Sequence, residues 1–102
     1  DPANTKALFA LVVTYTDGLD YARAMETLEA IGRVQPSNPE IDYNMACILS
    51  RQGRTDEAAA RLRQALAKGF TSRDLALKDP DLYNLRISPA FNSLLNELGN
   101  VP

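Results

Sequence analysis

Apolar positions recur at three- and four-residue intervals along most of this chain, the period of a helix face rather than of a strand. The clearest stretch is residues 43–70, YNMACILSRQGRTDEAAARLRQALAKGF, which predicts a helix, a turn at Gly53 and a second helix running back. Upstream, Leu8, Leu11, Val12 and Tyr15 form one face of a predicted helix over 3–16, with Asp1-Pro2 as its cap and first residue. Phe9, Ala10 and Val13 are apolar too, so this helix is greasy on more sides than a surface helix should be. Thr16-Asp17-Gly18 predicts a turn, followed by a helix over 20–34 that carries Ala24, Leu28 and Ile31 inward.

Gln35-Pro36-Ser37 stops that helix, and Asn38-Pro39 opens the next, over 39–52, with Met45, Ala46 and Leu49 inward. Glu40 and Asp42 suit the positive end of its dipole. Thr55 reads as the cap of a fourth helix, with Asp56 and Glu57 in its first turn, Lys68 in its last and Gly69 at its end. Residues 71–78 predict a short helix or turn, 81–85 a helical turn opened by Asp79-Pro80, and 89–98 a last helix. Ser88-Pro89 caps that helix, Gly99 ends it, and Phe91, Leu94, Leu95 and Leu98 make its apolar face.

A shift of 34 residues lays Leu11 on Met45, Val12 on Ala46, Tyr15 on Leu49, Ala24 on Ala58 and Leu28 on Leu62. Period and pattern together resemble the tetratricopeptide (TPR) repeat. Tyr43-Asn44-Met45-Ala46, Gly53, Asp56-Glu57-Ala58 and Ala65-Leu66 match the family pattern closely. The first copy is looser: Val12 and Ile31 replace small residues, and Gly18 sits one place early. The tail LKDPDLYNLRISPAFNSLL resembles a segment that closes TPR arrays in bacterial proteins, matched at Asp79, Pro80, Asp81, Leu82, Leu85, Arg86, Pro89, Phe91, Leu94 and Leu95. The resemblance implies an all-α fold, an α-α superhelix: a right-handed solenoid of antiparallel helix pairs with C-terminal capping helices. One domain over 1–102 would hold a first repeat at 3–36, a second at 38–70 and a cap at 71–98. A cap is needed because the last repeat of a stack exposes an apolar face. An ion pair from Arg86 to Asp79 or Asp81 would fix its turn.

At 102 residues there is room for one small domain, and the 45% apolar fraction is ordinary. A net charge of −2, with bases and acids interleaved, argues against nucleic acid as a partner. No apolar run approaches the roughly 20 residues that span a bilayer, so direct membrane insertion is not expected. The start at Asp1, with no Met and no leader pattern, suggests an excised or processed piece. A single cysteine excludes an internal disulfide and leaves cytoplasm and periplasm both open.

The chain has no histidine, which removes the commonest general base and metal ligand at neutral pH and the usual nucleophile pairs. One cysteine without histidine builds no usual zinc site, and the five scattered glycines form no phosphate cradle. Asp79-Pro80-Asp81 lacks the further oxygens and glycine of a calcium loop. No catalysis, cofactor or metal is therefore expected.

A repeat instead implies an interaction module, and the family's geometry turns part of each pair's first helix toward a concave groove. That would place Lys6, Phe9, Ala10 and Val13 beside Glu40, Tyr43, Asn44, Cys47 and Arg51, over an apolar floor with a mixed polar rim. Thr16 and Asp17 flank the first set and Ser50 the second. The alternative is that Phe9, Val13 and Tyr43 pack against an upstream repeat or the chain's own last helix, and that Cys47 is a small buried hydrophobe. The family's two-carboxylate clamp for chaperone tails is matched at Asn44 alone, and is disfavoured. The expected function is non-catalytic binding of a partner's peptide or helix in the groove. The competing readings are a self-associating homo-oligomeric scaffold and a C-terminal accessory domain of a larger bacterial enzyme or assembly protein.

Overall fold

In the computed structural model, residues 2–70 and 73–99 are described. They form α1 (Pro2–Asp17), α2 (Tyr21–Val34), α3 (Pro39–Arg51), α4 (Thr55–Ala67), α5 (Arg73–Lys78), a 3-10 turn (Pro80–Leu82), α6 (Tyr83–Arg86) and α7 (Pro89–Gly99). No strand occurs among the described residues. The cap expected at Asp1, the start of the segment at 71–72 and the side chain of Leu98 lie outside them.

Local chemistry sets the boundaries. The Asp20 carboxylate accepts from the Arg23 amide at 3.2 Å, and the Asn38 side chain accepts from the Glu40 amide at 3.0 Å, so both cap the helices that follow. Thr55 does not cap α4, contrary to the sequence expectation. Arg54 holds that position and, having no acceptor, makes no side-chain cap bond. Its guanidinium pairs instead with Glu57 at 2.6 Å.

Helices α1, α3 and α4 end on one motif. The amide at the start of the next segment bonds back five residues: Asp20 to the Tyr15 carbonyl at 2.8 Å, Arg54 to Leu49 at 2.9 Å and Phe70 to Ala65 at 2.9 Å. The residue before each of these amides must turn left-handed. In the later turns it is a glycine, Gly53 at φ 77° and Gly69 at φ 101°, but in the first it is Leu19 at φ 63°. The predicted 16–18 turn is thus displaced: α1 runs through Asp17, and Gly18 precedes the residue that needs its freedom.

Two apolar clusters meet on α3. Its Ile41, Met45 and Ile48 pack with Val12 of α1 and Ala24, Leu28 and Ile31 of α2. Its Ala46 and Leu49 pack with Ala58, Leu62 and Ala65 of α4, while Leu82, Leu85, Phe91 and Leu94 of the cap close the same cluster. Burying each of these large side chains contributes about 1.5–3 kcal/mol. Nine of the thirteen residues of α3 are therefore buried, making it the axis of the fold. Asp42 is among them, at 2% exposure; Lys68 reaches it at 2.6 Å and Arg61 at 3.3 Å, both from the α4 side.

The outer ends differ. Leu11, expected to face inward, is 42% exposed, and α1 instead turns Leu8, Phe9, Val12 and Tyr15 toward α2. The equivalent Met45 is buried because α2 covers that side of α3, whereas no described element covers it on α1. At the other end the cap is bolted to α3: the Leu85 amide donates to Ser50 Oγ at 3.0 Å and the Asn84 side chain to the Ser50 carbonyl at 3.0 Å. Arg86 does not make the expected ion pair with Asp79 or Asp81. Its guanidinium donates to the carbonyls of Ala76 (3.2 Å) and Asp79 (2.5 Å), because α6 brings it against the end of α5.

Candidate functional site

Along α3, every residue from 41 to 50 is buried except Asn44. The first pair takes one side of the helix, α4 another and the cap a third, so the remaining opening lies over Asn44. A cleft of about 120 Å³ occupies it. Val12, Val13, Thr16 and Asp17 of α1 form one wall, Asn44, Cys47, Ile48 and Arg51 of α3 the other, and Asp81 closes one end. Packing of α1 on α2 holds the first wall, and Asn44 is steadied by donating to the Glu40 carbonyl at 2.8 Å.

The charged end of the cleft is organised around Arg51. Its guanidinium lies 3.6 Å from the Asp81 carboxylate and 5.6 Å from the centroid of the Tyr21 ring, with an adequate cation–π geometry. Asp81 is placed by the 3-10 turn, whose cap Asp79 accepts from the Asp81 amide at 3.0 Å. The second oxygen of Asp79 accepts from the Tyr43 hydroxyl at 2.6 Å and lies 4.0 Å from Cys47 Sγ. The Tyr43 ring stacks on Phe70, centroids 4.4 Å apart. Burial, followed by the hydrogen bond to Asp79, pushes the Tyr43 phenol up. Burial and then the charge of Asp79 do the same to the Cys47 thiol. Burial and Asp79 also raise Asp81, against the opposing pull of Arg51.

Ligand atoms of Cys47, Asp79 and Asp81 lie within 4.8 Å of one another. The thiol is held protonated, and the acids are already engaged by Tyr43, Arg51 and a backbone amide, so the cluster reads as a hydrogen-bonded anchor for the cap. The arrangement offers no activated nucleophile. It presents an aliphatic floor, one amide, one cation and two carboxylates.

The residues singled out in the sequence separate into groups. Val13, Asn44, Cys47 and Arg51 line the cleft together. Lys6 and Ala10 are exposed farther up α1, Glu40 is exposed in the first turn of α3, and Phe9 is half-buried against the first cluster. Tyr43 is only 7% exposed, covered by Phe70 and Asp79. Sequence reasoning missed Asp81, although its signal was present: Asp79 is spent as a cap, which leaves the second acid of Asp-Pro-Asp for the cleft. Two broader depressions, of about 320 and 380 Å³, lie between α2 and α4 on another side. There Arg54, Arg61 and Lys68 are already paired with Glu57 and Asp42.

The tetratricopeptide repeat family model matches residues 17–79, more than half of the chain. The chain is also similar to a chloroplastic protein of Arabidopsis thaliana, with 31% identity over 80 residues. That alignment covers 76% of this chain and 24% of the relative, so the chain spans about a quarter of that protein's length. No solved structure matches.

Proposed function

Because the chain belongs to the tetratricopeptide repeat family, whose members in general mediate contacts between proteins, we propose that it holds a partner's peptide or helix in the cleft between α1 and α3. The observation that carries this reading is the pattern of burial on α3, where packing seals ten consecutive positions except Asn44 and leaves a walled opening above it. Val12, Val13 and Ile48 would receive an apolar anchor, Asn44 would bond the partner's backbone, and Arg51 with Asp81 would set its direction. Tyr43, covered by Phe70 and Asp79, would support the site from beneath, while Cys47 would form part of the cleft wall. Phe9, Ala10, Lys6 and Glu40 extend the surface beyond the cleft. The binding step makes and breaks no covalent bond, which agrees with the absence of histidine from the chain.

The test is selection of peptides from a displayed random library, followed by titration of the selected peptides against variants. Val13→Asp and Arg51→Ala should each weaken binding roughly tenfold or more, as expected for central anchors. Arg63→Ala, at the exposed Arg63–Glu97 pair between α4 and α7, should leave it unchanged. Peptides that bind all three variants as tightly as the parent chain would show that the cleft is not the site.

A further inference from the structure

On α1, Lys6, Ala10, Val13 and Asp17 follow one another at intervals of four, three and four residues, the spacing of a single stripe and of a coiled-coil seam. All four are exposed, Val13 at 58%. The stripe is apolar in the middle and charged at both ends, with opposite signs. The pairs also share a sum: 6 + 17 and 10 + 13 are both 23. If a second α1 is laid antiparallel about a two-fold axis between residues 11 and 12, residue n faces residue 23 − n of the other copy. Lys6 then meets Asp17, and Ala10 meets Val13, a small side chain against a larger one at every step.

Asp17, although part of the cleft wall, gains no stabilising contact from its own helix end. It is the last residue of α1, where the helix dipole favours a base, and its charge adds to the burden on Asp81 across the cleft. Neither Lys6 nor Asp17 makes an ion pair among the described residues. An antiparallel partner gives each of them one. It also covers part of a helix that the rest of the fold leaves bare.

We infer that α1 is a self-recognition surface: two copies of this chain pair through antiparallel α1 helices in the register that joins Lys6 to Asp17 and Ala10 to Val13. The contact is isologous, so every interaction occurs twice. One helix stripe from each copy is a small interface, which sets the association in the weak, reversible class. The inference does not rest on the cleft as a peptide site. It does make the two states compete, because Val13 and Asp17 belong to both surfaces.

Sedimentation equilibrium at low ionic strength, over a wide concentration range, tests it with charge-swapped variants. The parent chain should show a monomer–dimer equilibrium. Lys6→Asp alone and Asp17→Lys alone should each weaken it by roughly tenfold, since each puts two like-charged pairs at the interface. The double variant should recover the parent constant. These sites are exposed, so thermal unfolding of all four proteins should be nearly unchanged, and Asp17→Lys should be no less stable. A monomer at every concentration would overturn the inference, as would single reversals without effect or a double variant that stays as weak as the singles. Peptide binding sensitive to Arg51→Ala, in a chain that stays monomeric at every concentration, would leave the cleft reading standing while self-pairing fell.

Discussion

The two helix pairs lie on one 34-residue frame and stand in opposite surroundings. Around α3 and α4, every apolar side has found a cover: α2 on one flank and the 3-10 turn, α6 and α7 on the other. Around α1, only the side toward α2 is covered, and Leu11, Val13 and Leu19 remain 42–65% exposed. The local chemistry differs in the same sense. Position 42 of the second pair carries a buried carboxylate tied to Arg61 and Lys68; the matching positions in the first pair are Leu8, Thr27 and Val34, which form no such tie. The left-handed turn has glycine in the second pair and leucine in the first. The cap position is reversed, with Asp20 capping α2 and Arg54 failing to cap α4. Packing is finished around the second pair, and it is left open on one side of α1.

The largest expected effect comes from truncating one leucine on each side of this divide. Leu62→Ala removes a side chain 1% exposed at the centre of the second cluster and should cost about 3 kcal/mol. Leu11→Ala removes one that is 42% exposed and should cost under about 1 kcal/mol, both read from urea unfolding at unchanged m-value. Comparable losses at the two positions would mean that α1 is covered after all.

Asp42→Ala is expected to come next, at about 1–2 kcal/mol. Removing one member of a buried pair can cost about 3–5 kcal/mol when the other is left stranded, but Arg61 and Lys68 are 41% and 35% exposed and can turn to water. A loss that vanished in high salt would make the contact an ordinary surface pair.

Exchanging the turn residues should give the smallest change and the most telling sign. Gly53→Ala places a Cβ at φ 77°, with nothing within 4 Å to clash, so only backbone strain is added and about 1 kcal/mol should be lost. Leu19→Gly relieves the same strain in the first pair. It should gain up to about 1 kcal/mol, reduced by the entropy of a freer unfolded chain. Thermal melting of both variants against the parent would show opposite shifts.

Much of the architecture was legible in the chain because helix period, caps and turns agree there. Asn38-Pro39, Gly53 and Gly69 each announce a boundary that the structure uses. Leu11 could not be read from its spacing, because a helix apolar on several sides does not say which side is covered. The left-handed Leu19 was hidden by the neighbouring Gly18, a better residue for the turn standing one place away from it. The cleft was legible in part. Val13, Asn44, Cys47 and Arg51 follow from the repeat, since the 34-residue shift aligns the first helices. The burial of Tyr43 and the arrival of Asp81 depend on how the tail folds back over α3, contacts across thirty or more residues that no local pattern records.

Native-state hydrogen exchange bears most directly on the contrast between a finished half and an open one. At concentrations too low for self-association, amides of α3 and α4 should exchange only with global unfolding, at the free energy found from urea. Amides in the outer turns of α1 should open at a distinctly lower free energy, with α2 between the two. Protection of α1 equal to that of α3 would contradict this picture, since it would require the exposed face of α1 to be as tightly held as the axis of the fold.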